Sequence, residues 1–427
     1  MNIYFIGIGG IGLSALARYY LAQGHQVTGS DLEQSEITDA LQKEGIEVYI
    51  KHDPSNIPSD VDRVIYTAAV NDDNEELKEA KRKEITTQSY AEALGELTKE
   101  HFTIAITGTH GKSTTAAMVA SILIEADLDP TVILGTKFDQ LEHENCRIGE
   151  SNYLVIEADE FDRSFLEHYP EILTVTNIEE DHLDCYENLE NIINAYREFT
   201  THLPKHGELI INGDDHNAKK LKHKRTQTFS LQNPESEKIK NILQIPGKHN
   251  VANALAALQT ARALDIPDEV SFKALSGFKG VWRRFDIKER KLKGKKITVI
   301  NDYAHHPTEV KATLEAADEK FPEQKKWAVF QPHQAARTTN LFDEFVKTLK
   351  EVTIDKLIVT DIYKVAGREE KKKITSKELV NAINQENVVY VPKEKLKDFL
   401  SKNLEGQLLT ILGAGDIYKL EQELTKE

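Results

Sequence analysis

Thr107-Gly108-Thr109-His110-Gly111-Lys112-Ser113-Thr114 follows the apolar run Phe102 to Ile106 and precedes a helix-like stretch from Thr115 to Glu125. A strand, a glycine-rich turn carrying Lys-Ser, and a helix make an anion cradle. Backbone N–H groups and the positive end of the helix face phosphate, Lys112 neutralises charge, and the Ser113 hydroxyl can reach Mg²⁺. Gly108, Thr109, His110, Gly111, Lys112, Ser113 and Thr114 are therefore candidate ATP contacts, with Lys112 the candidate catalytic cation. The common spelling of such a loop has a glycine five positions before Gly111, where this chain has Ile106. The shorter form points away from GTPases and most ATPases.

Acids stand where a second strand should end. Tyr153 to Glu157 is an apolar run closing on Glu157, Asp159 and Glu160, the arrangement expected where a carboxylate at a strand's C-terminal end meets Mg²⁺ beside a phosphate loop. Glu157 is the metal candidate on these grounds. The next strand-like run, Ile172 to Thr176, leads into Asn177-Ile178-Glu179-Glu180-Asp181-His182-Leu183-Asp184. A polar cluster outside a carboxyl edge is where open α/β sheets bind ligands, which singles out His182. A second glycine signature, Gly7-Ile8-Gly9-Gly10-Ile11-Gly12, joins a strand at Ile3 to Ile8 to a helix ending near Gly24. A strand from His25 to Gly29 then stops at Ser30-Asp31. That is the dinucleotide fingerprint, with glycines for a tight turn and close phosphate approach and an acid about 20 residues on for a ribose. Alone it would indicate an NAD-binding domain.

These motifs need sheets to carry them, and the chain has room for several. Its 427 residues exceed one core. Alternating strand and helix patterns give an α/β fold of three domains. Residues 1–99 form a Rossmann-like domain, 100–280 a central P-loop ATPase with a mostly parallel sheet, and 281–427 a second Rossmann-like domain. In the third block, strand-like runs at Ile297 to Asn301, Trp327 to Gln331, Lys356 to Thr360 and Leu408 to Leu412 alternate with helices. The basic segment Lys288 to Lys296 reads as a solvated hairpin, and Glu369 to Lys373 as a charged loop. With 70 acidic against 54 basic residues the net charge is −16, which disfavours nucleic-acid and anionic-membrane partners. Two cysteines, Cys146 and Cys185, argue against a disulfide framework. Four glycines and Arg18 interrupt the apolar stretch Ile3 to Ala22, so it does not read as a signal or membrane segment. The expectation is a soluble cytoplasmic protein, monomer or homodimer.

Three further strings must be explained together: Gly247-Lys248-His249-Asn250-Val251-Ala252-Asn253-Ala254 opening a helix, Val281-Trp282-Arg283-Arg284-Phe285, and Asn301-Asp302-Tyr303-Ala304-His305-His306-Pro307-Thr308-Glu309. With the Gly-Thr-His-Gly-Lys-Ser loop and the two acidic clusters, the chain resembles the Mur ligases of peptidoglycan synthesis over essentially its whole length, and within them the alanine-adding branch. The resemblance implies an ATP-dependent carbon–nitrogen ligase with UDP-N-acetylmuramate and L-alanine as substrates and ATP and Mg²⁺ as cofactors. It reassigns the first fingerprint, so that Gly7, Gly9, Gly10, Gly12, Ser30 and Asp31 bind the UDP-sugar in place of NAD. It also implies that Lys112 contacts the β- and γ-phosphates, and that Ser113, Glu157 and His182 hold Mg²⁺. Asn250 and Tyr303 would lie at the adenine, with Asn253 supporting the nucleotide. Arg284 would reach phosphate, and His305 and Arg337 would stand where L-alanine and the muramyl carboxylate meet.

Two departures bear on this. The family often reads Pro-His-Arg-Tyr-x-Arg-Thr where this chain has Pro332-His333-Gln334-Ala335-Ala336-Arg337-Thr338, so one cationic contact is missing. Several relatives carry a carbamylated lysine about fifteen residues after the metal histidine; Arg197 stands there, and the alanine-adding branch also lacks that lysine. The alternatives are a recycling ligase that adds a preformed peptide to the same sugar nucleotide, and a UDP-sugar- and ATP-binding regulator that has lost catalysis.

Overall fold

A computed structural model of the chain describes residues 1–364 and 374–425. The charged stretch 369–373 lies outside the described residues. Two compact units are formed: Met1–Glu179 with Glu190–Asn233 and Asn253–Leu275, and Glu180–Leu189 with Pro234–Ala252 and Ser276–Glu427.

The first unit holds two sheets. One is wholly parallel, in the order Glu47–Ile50, Gln26–Asp31, Asn2–Ile6, Arg63–Tyr66, Thr86–Ser89. Its middle strand is an unbroken apolar run, Ile3 to Ile6, buried on both faces as a central parallel strand must be. The other follows the order Thr226–Phe229, Glu208–Asn212, Ile172–Val175, Phe102–Thr107, Tyr153–Glu157, Thr131–Ile133, Cys146–Arg147. All its pairs are parallel except the last. The phosphate loop thus leaves the sheet's central strand. In register, Ile106 lies beside Glu157 and Thr107 beside Val175, which brings the loop, Glu157 and the start of the 176–184 segment to one carboxyl edge.

The second unit carries the third sheet: Asp286–Leu292, Lys295–Asp302, Leu408–Leu412, Lys326–Phe330, Lys356–Val359, Val388–Tyr390. Only its first pair is antiparallel. That pair is the basic hairpin, turning at Lys293 and Gly294, both with positive φ. Its cations meet acids: Lys296 Nζ is 2.6 Å from Glu289, and Arg290 Nε is 2.6 Å from the buried Glu421. Among the described residues no helix is long and apolar enough to cross a membrane.

Both units bury histidines as neutral groups. Burial pushes His168 down to about 4, His249 to about 4 and His305 to about 3. An unfolded histidine binds its proton near 6.5, so between these values the unfolded chain holds more protons than the folded one. Stability therefore rises with pH across that window and is lost on acidification, each group contributing about 1.4 kcal/mol per pH unit. His168 is the cleanest case, since neither ring nitrogen has a hydrogen-bond partner among the described residues. His168→Phe should flatten the urea stability profile between pH 6.5 and 4 by about one proton; an unchanged slope would refute the neutral-histidine account.

Candidate active site

The phosphate loop is shaped by its neighbours. Gly108 has φ +135° and Gly111 φ +82°. A Cβ at Gly108 would lie 2.0 Å from Thr176 Oγ1, and one at Gly111 2.3 Å from Asn253 Oδ1. Only glycine fits either place. Asn177 grips the loop tip, its Oδ1 accepting from His110 N at 2.9 Å and its Nδ2 donating to His110 O at 3.0 Å. Thr176 Oγ1 donates to the same carbonyl at 2.6 Å, and Thr109 N donates to Asn177 O at 3.1 Å. Gly111 then caps the helix Lys112–Glu125 without a side-chain capping bond, leaving first-turn N–H groups for an anion.

Lys112 is folded back over this cradle. Its Nζ donates to Gly108 O at 2.8 Å and lies 2.7 Å from Glu160 Oε2. Burial alone would lower its pKa, but the carboxylates of Glu160, Asp159 and Glu157 hold it above the ordinary lysine value. Ser113 Oγ donates to Glu157 Oε2 at 2.7 Å, and Gly135 N donates to Oε1 at 2.7 Å. A hydroxyl and a carboxylate converging beside a phosphate cradle are hard oxygen donors, the set a hexacoordinate Mg²⁺ prefers. Asn253 belongs to the same unit and touches the loop at Gly111.

The first glycine run turns at Gly7, φ +83°, where a Cβ would meet Thr67 Cγ2 at 2.4 Å. Gly9 N donates to Asp31 Oδ2 at 2.8 Å, so the acid at the neighbouring strand's end is tied to the glycine turn. Gly10 caps the helix Ile11–Ala22, again with no side-chain bond. Ser30 has its partners within the fold. It is fully buried, donating to Glu76 Oε2 at 2.5 Å beside His52 Nδ1 at 2.9 Å. Glu76 also accepts from Tyr4, the Asp53 amide and Asn56. The Ser30 hydroxyl is thus engaged within the fold, where it holds the strand end.

The remaining predicted residues lie in the second unit. Arg283 and Arg284 are adjacent but do different work. Arg283 is buried, its guanidinium donating to Gly413 O and, at 3.0 Å, to Gly415 O. Arg284 is half-exposed, 4.9 Å from the Tyr303 ring centre and 3.7 Å from Glu309. Arg284→Ala should therefore lower turnover about 10² to 10³-fold with little change in melting temperature. Arg283→Ala, leaving buried carbonyls unpaired, should cost about 1 to 3 kcal/mol of stability. Circular-dichroism melts beside turnover separate the two, and equal losses of stability would refute the division.

Asn250 is buried, donating to Pro246 O at 2.7 Å. His305 Nδ1 lies 3.1 Å from Tyr303 O and 3.3 Å from Glu309 Oε2. Arg337 grips Asp181 through Nε at 2.9 Å and Nη2 at 3.3 Å. Against its burial, Asp181 is held well below the usual carboxylate range by Arg337 and then His182. His182 Nε2 lies 3.7 Å from Asp181 Oδ2. A shallow cleft is lined here by Asp181, His182, Gln334, Ala336, Arg337 and Leu341. His182, Arg283, Phe285 and Gln334 all have φ between +51° and +65°. Strained backbone of this kind gathers at functional sites.

Three family models match nearly end to end: "Mur ligase family, catalytic domain" over residues 2–102, "Mur ligase middle domain" over 106–261, and "Mur ligase, glutamate ligase domain" over 283–415. The chain belongs to the Mur ligase family. It is 41% identical to a UDP-N-acetylmuramate–L-alanine ligase of Clostridium acetobutylicum, covering 98% of this chain and 96% of that one. It is 39% identical to the ligase of the same name from Acetivibrio thermocellus, covering 100% and 96%. The crystal structure of a UDP-N-acetylmuramate-alanine ligase from Thermotoga maritima superposes with a TM-score of 0.82 at 30% identity, covering 99% and 98%. A murein peptide ligase from Psychrobacter arcticus, at 22% identity and a TM-score of 0.73, shares the fold.

In this Mur ligase the motifs marked the glycines and the cradle but not their supports. Asn177, Glu160 on Lys112, and the grip of Asp181 on Arg337 were missed as partners. Each is a contact across the sheet or between distant segments, for which sequence spacing carries no signal.

Proposed function

We propose that this Mur ligase joins L-alanine to the lactyl carboxylate of UDP-N-acetylmuramate, converting ATP to ADP and phosphate. The observation that carries the reading is the preformed Gly108–Ser113 cradle with its Ser113–Glu157 pair, in a chain similar end to end to ligases of that name. Working domains of 1–99, 100–280 and 281–427 are assigned to the UDP-sugar, ATP and the amino acid.

A carboxylate is a poor acyl donor because its leaving group would be oxide. Attack of the lactyl oxygen on the γ-phosphorus forms a P–O bond, expels ADP and gives an acyl phosphate. The neutral amine of L-alanine then adds to the acyl carbon, and phosphate leaves from the tetrahedral intermediate. Two anions must meet in the first step, so charge has to be neutralised in advance. Lys112 does this at the β- and γ-phosphates, the loop N–H groups by direct donation, and Arg284 is assigned a phosphate contact. Ser113, Glu157 and His182 would hold Mg²⁺, which supplies further charge neutralisation on the phosphates. Asn250 and Tyr303 flank the adenine and Asn253 backs the loop, while Gly7, Gly9, Gly10, Gly12 and Asp31 receive the UDP diphosphate. With its pKa near 3, His305 stays neutral; it is too weak a base to carry the amine proton and serves to position substrate with Arg337. The reaction is assigned to the cytoplasm.

Phosphate release should require ATP, UDP-N-acetylmuramate and an amino acid together, with L-alanine preferred over L-serine, glycine and L-alanyl-γ-D-glutamyl peptides. A peptide preferred over L-alanine would favour the recycling reaction, and release independent of the sugar nucleotide would overturn the reading.

A further inference from the structure

Tyr90 occupies a place that neither glycine motif announces. It opens the helix Tyr90–Glu100, fixed by a capping box in which Ser89 Oγ accepts from Glu92 N and Glu92 accepts from Ser89 N. Its phenol head lies against Gly12: a Cβ there would stand 2.9 Å from both Tyr90 Cζ and Oη. Gly12 is the last glycine of the first fingerprint and the second residue of the helix Ile11–Ala22. The absence of a side chain at position 12 is thus what admits the phenol to the phosphate-facing end of that helix.

The same phenol lies within the field of the other mouth's carboxylates. The charges acting on it are those of Glu157 and then Asp159, at the carboxyl edge of the ATP-side sheet. The two mouths are held together by the segment from Gly135 to Asn145. At one end Gly135 N donates to Glu157. At the other, Asn145 Nδ2 donates to Ile11 O at 2.5 Å and Ser14 Oγ at 3.0 Å, while its Oδ1 accepts from Arg18 Nη1 at 2.9 Å. One segment therefore ties the fingerprint helix to Glu157, and Tyr90 packs on that helix at Gly12. Among the described residues its hydroxyl has no hydrogen-bond partner. Burial, reinforced by the two carboxylates, raises its pKa, so the phenol stays protonated and can donate a hydrogen bond.

We propose that the Tyr90 hydroxyl donates a hydrogen bond to the diphosphate of the bound sugar nucleotide, on the side of the fingerprint facing the ATP mouth. It thereby sets how far the muramyl end reaches toward the γ-phosphate. The inference rests on the proposed function, because the anion must extend from one mouth to the other. A neutral donor suits this wall: a second carboxylate would repel the diphosphate, and a cation would be drawn to Glu157 and Asp159.

Tyr90→Phe removes one oxygen that has no hydrogen-bond partner among the described residues, so the fold and melting temperature should be unchanged. Titration calorimetry with UDP, with UDP-N-acetylmuramate and with a non-hydrolysable ATP analogue is the test. A hydrogen bond to a charged group predicts binding of UDP and UDP-N-acetylmuramate weakened about ten- to a hundred-fold, with a matching rise in KM. Affinity for the ATP analogue should not change. Equal affinity of Tyr90→Phe and the unaltered protein for both uridine ligands would overturn the proposal and leave the functional reading standing. Failure of the unaltered protein to bind UDP-N-acetylmuramate would overturn both.

Discussion

Lys112→Met is expected to abolish amide synthesis, with kcat lowered at least about 10² to 10³-fold, the scale for removing one preorganised charge-stabilising donor. The ammonium is held over the loop by Gly108 O and Glu160, and methionine keeps the stem while losing the charge. Its removal has a second effect. Glu160 is 3% exposed, and burial already pushes its carboxyl up to about 7. Without the lysine it should take up a proton, and losing one partner of a buried pair costs about 3 to 5 kcal/mol of stability. Activity must therefore be counted per folded molecule. Lys112→Met with Glu160→Gln should recover much of the stability and none of the turnover, because the amide needs no counter-charge. Recovery of turnover in that double variant would refute the role of the ammonium.

Glu157→Gln is the second large effect. The carboxylate receives Ser113 Oγ on one oxygen and Gly135 N on the other. An amide of the same shape keeps an acceptor for one of these and loses the negative charge a divalent cation requires. We expect kcat to fall about 10² to 10³-fold and the Mg²⁺ concentration for half-maximal rate to rise, with melting nearly unchanged. Magnesium titration of the steady-state rate checks this. An unaltered Mg²⁺ requirement would remove Glu157 from the metal site, and an equal loss in Ser113→Ala would support the pair acting together.

What the sequence disclosed follows from how each feature is encoded. Central strands such as Ile3 to Ile6 and Phe102 to Thr107 announce themselves because burial on both faces demands unbroken apolar runs. Gly108 and Gly111 were legible because their backbone admits no side chain. The basic hairpin was legible because its turn and charges are local. Short edge strands were not: Thr86–Ser89 and Thr226–Phe229 are polar and owe their conformation to a neighbouring strand. Arg283 and Arg284 look equivalent in sequence, and only the carbonyls of Gly413 and Gly415 tell them apart. Ser30 shows the same limit: its position beside Asp31 is legible in sequence, but its bond to Glu76, 46 residues away, is not. The missing arginine at Gln334 was visible, while the engagement of Arg337 by Asp181 was not, since it joins segments 156 residues apart.

The central claim is that the lactyl carboxylate becomes an acyl phosphate on the loop around Lys112. UDP-N-acetylmuramate labelled with ¹⁸O in both lactyl carboxylate oxygens tests it directly, by mass spectrometry of the phosphate released in a complete turnover with L-alanine. One ¹⁸O should appear in each phosphate formed and one should remain in the amide; phosphate free of label would contradict the account.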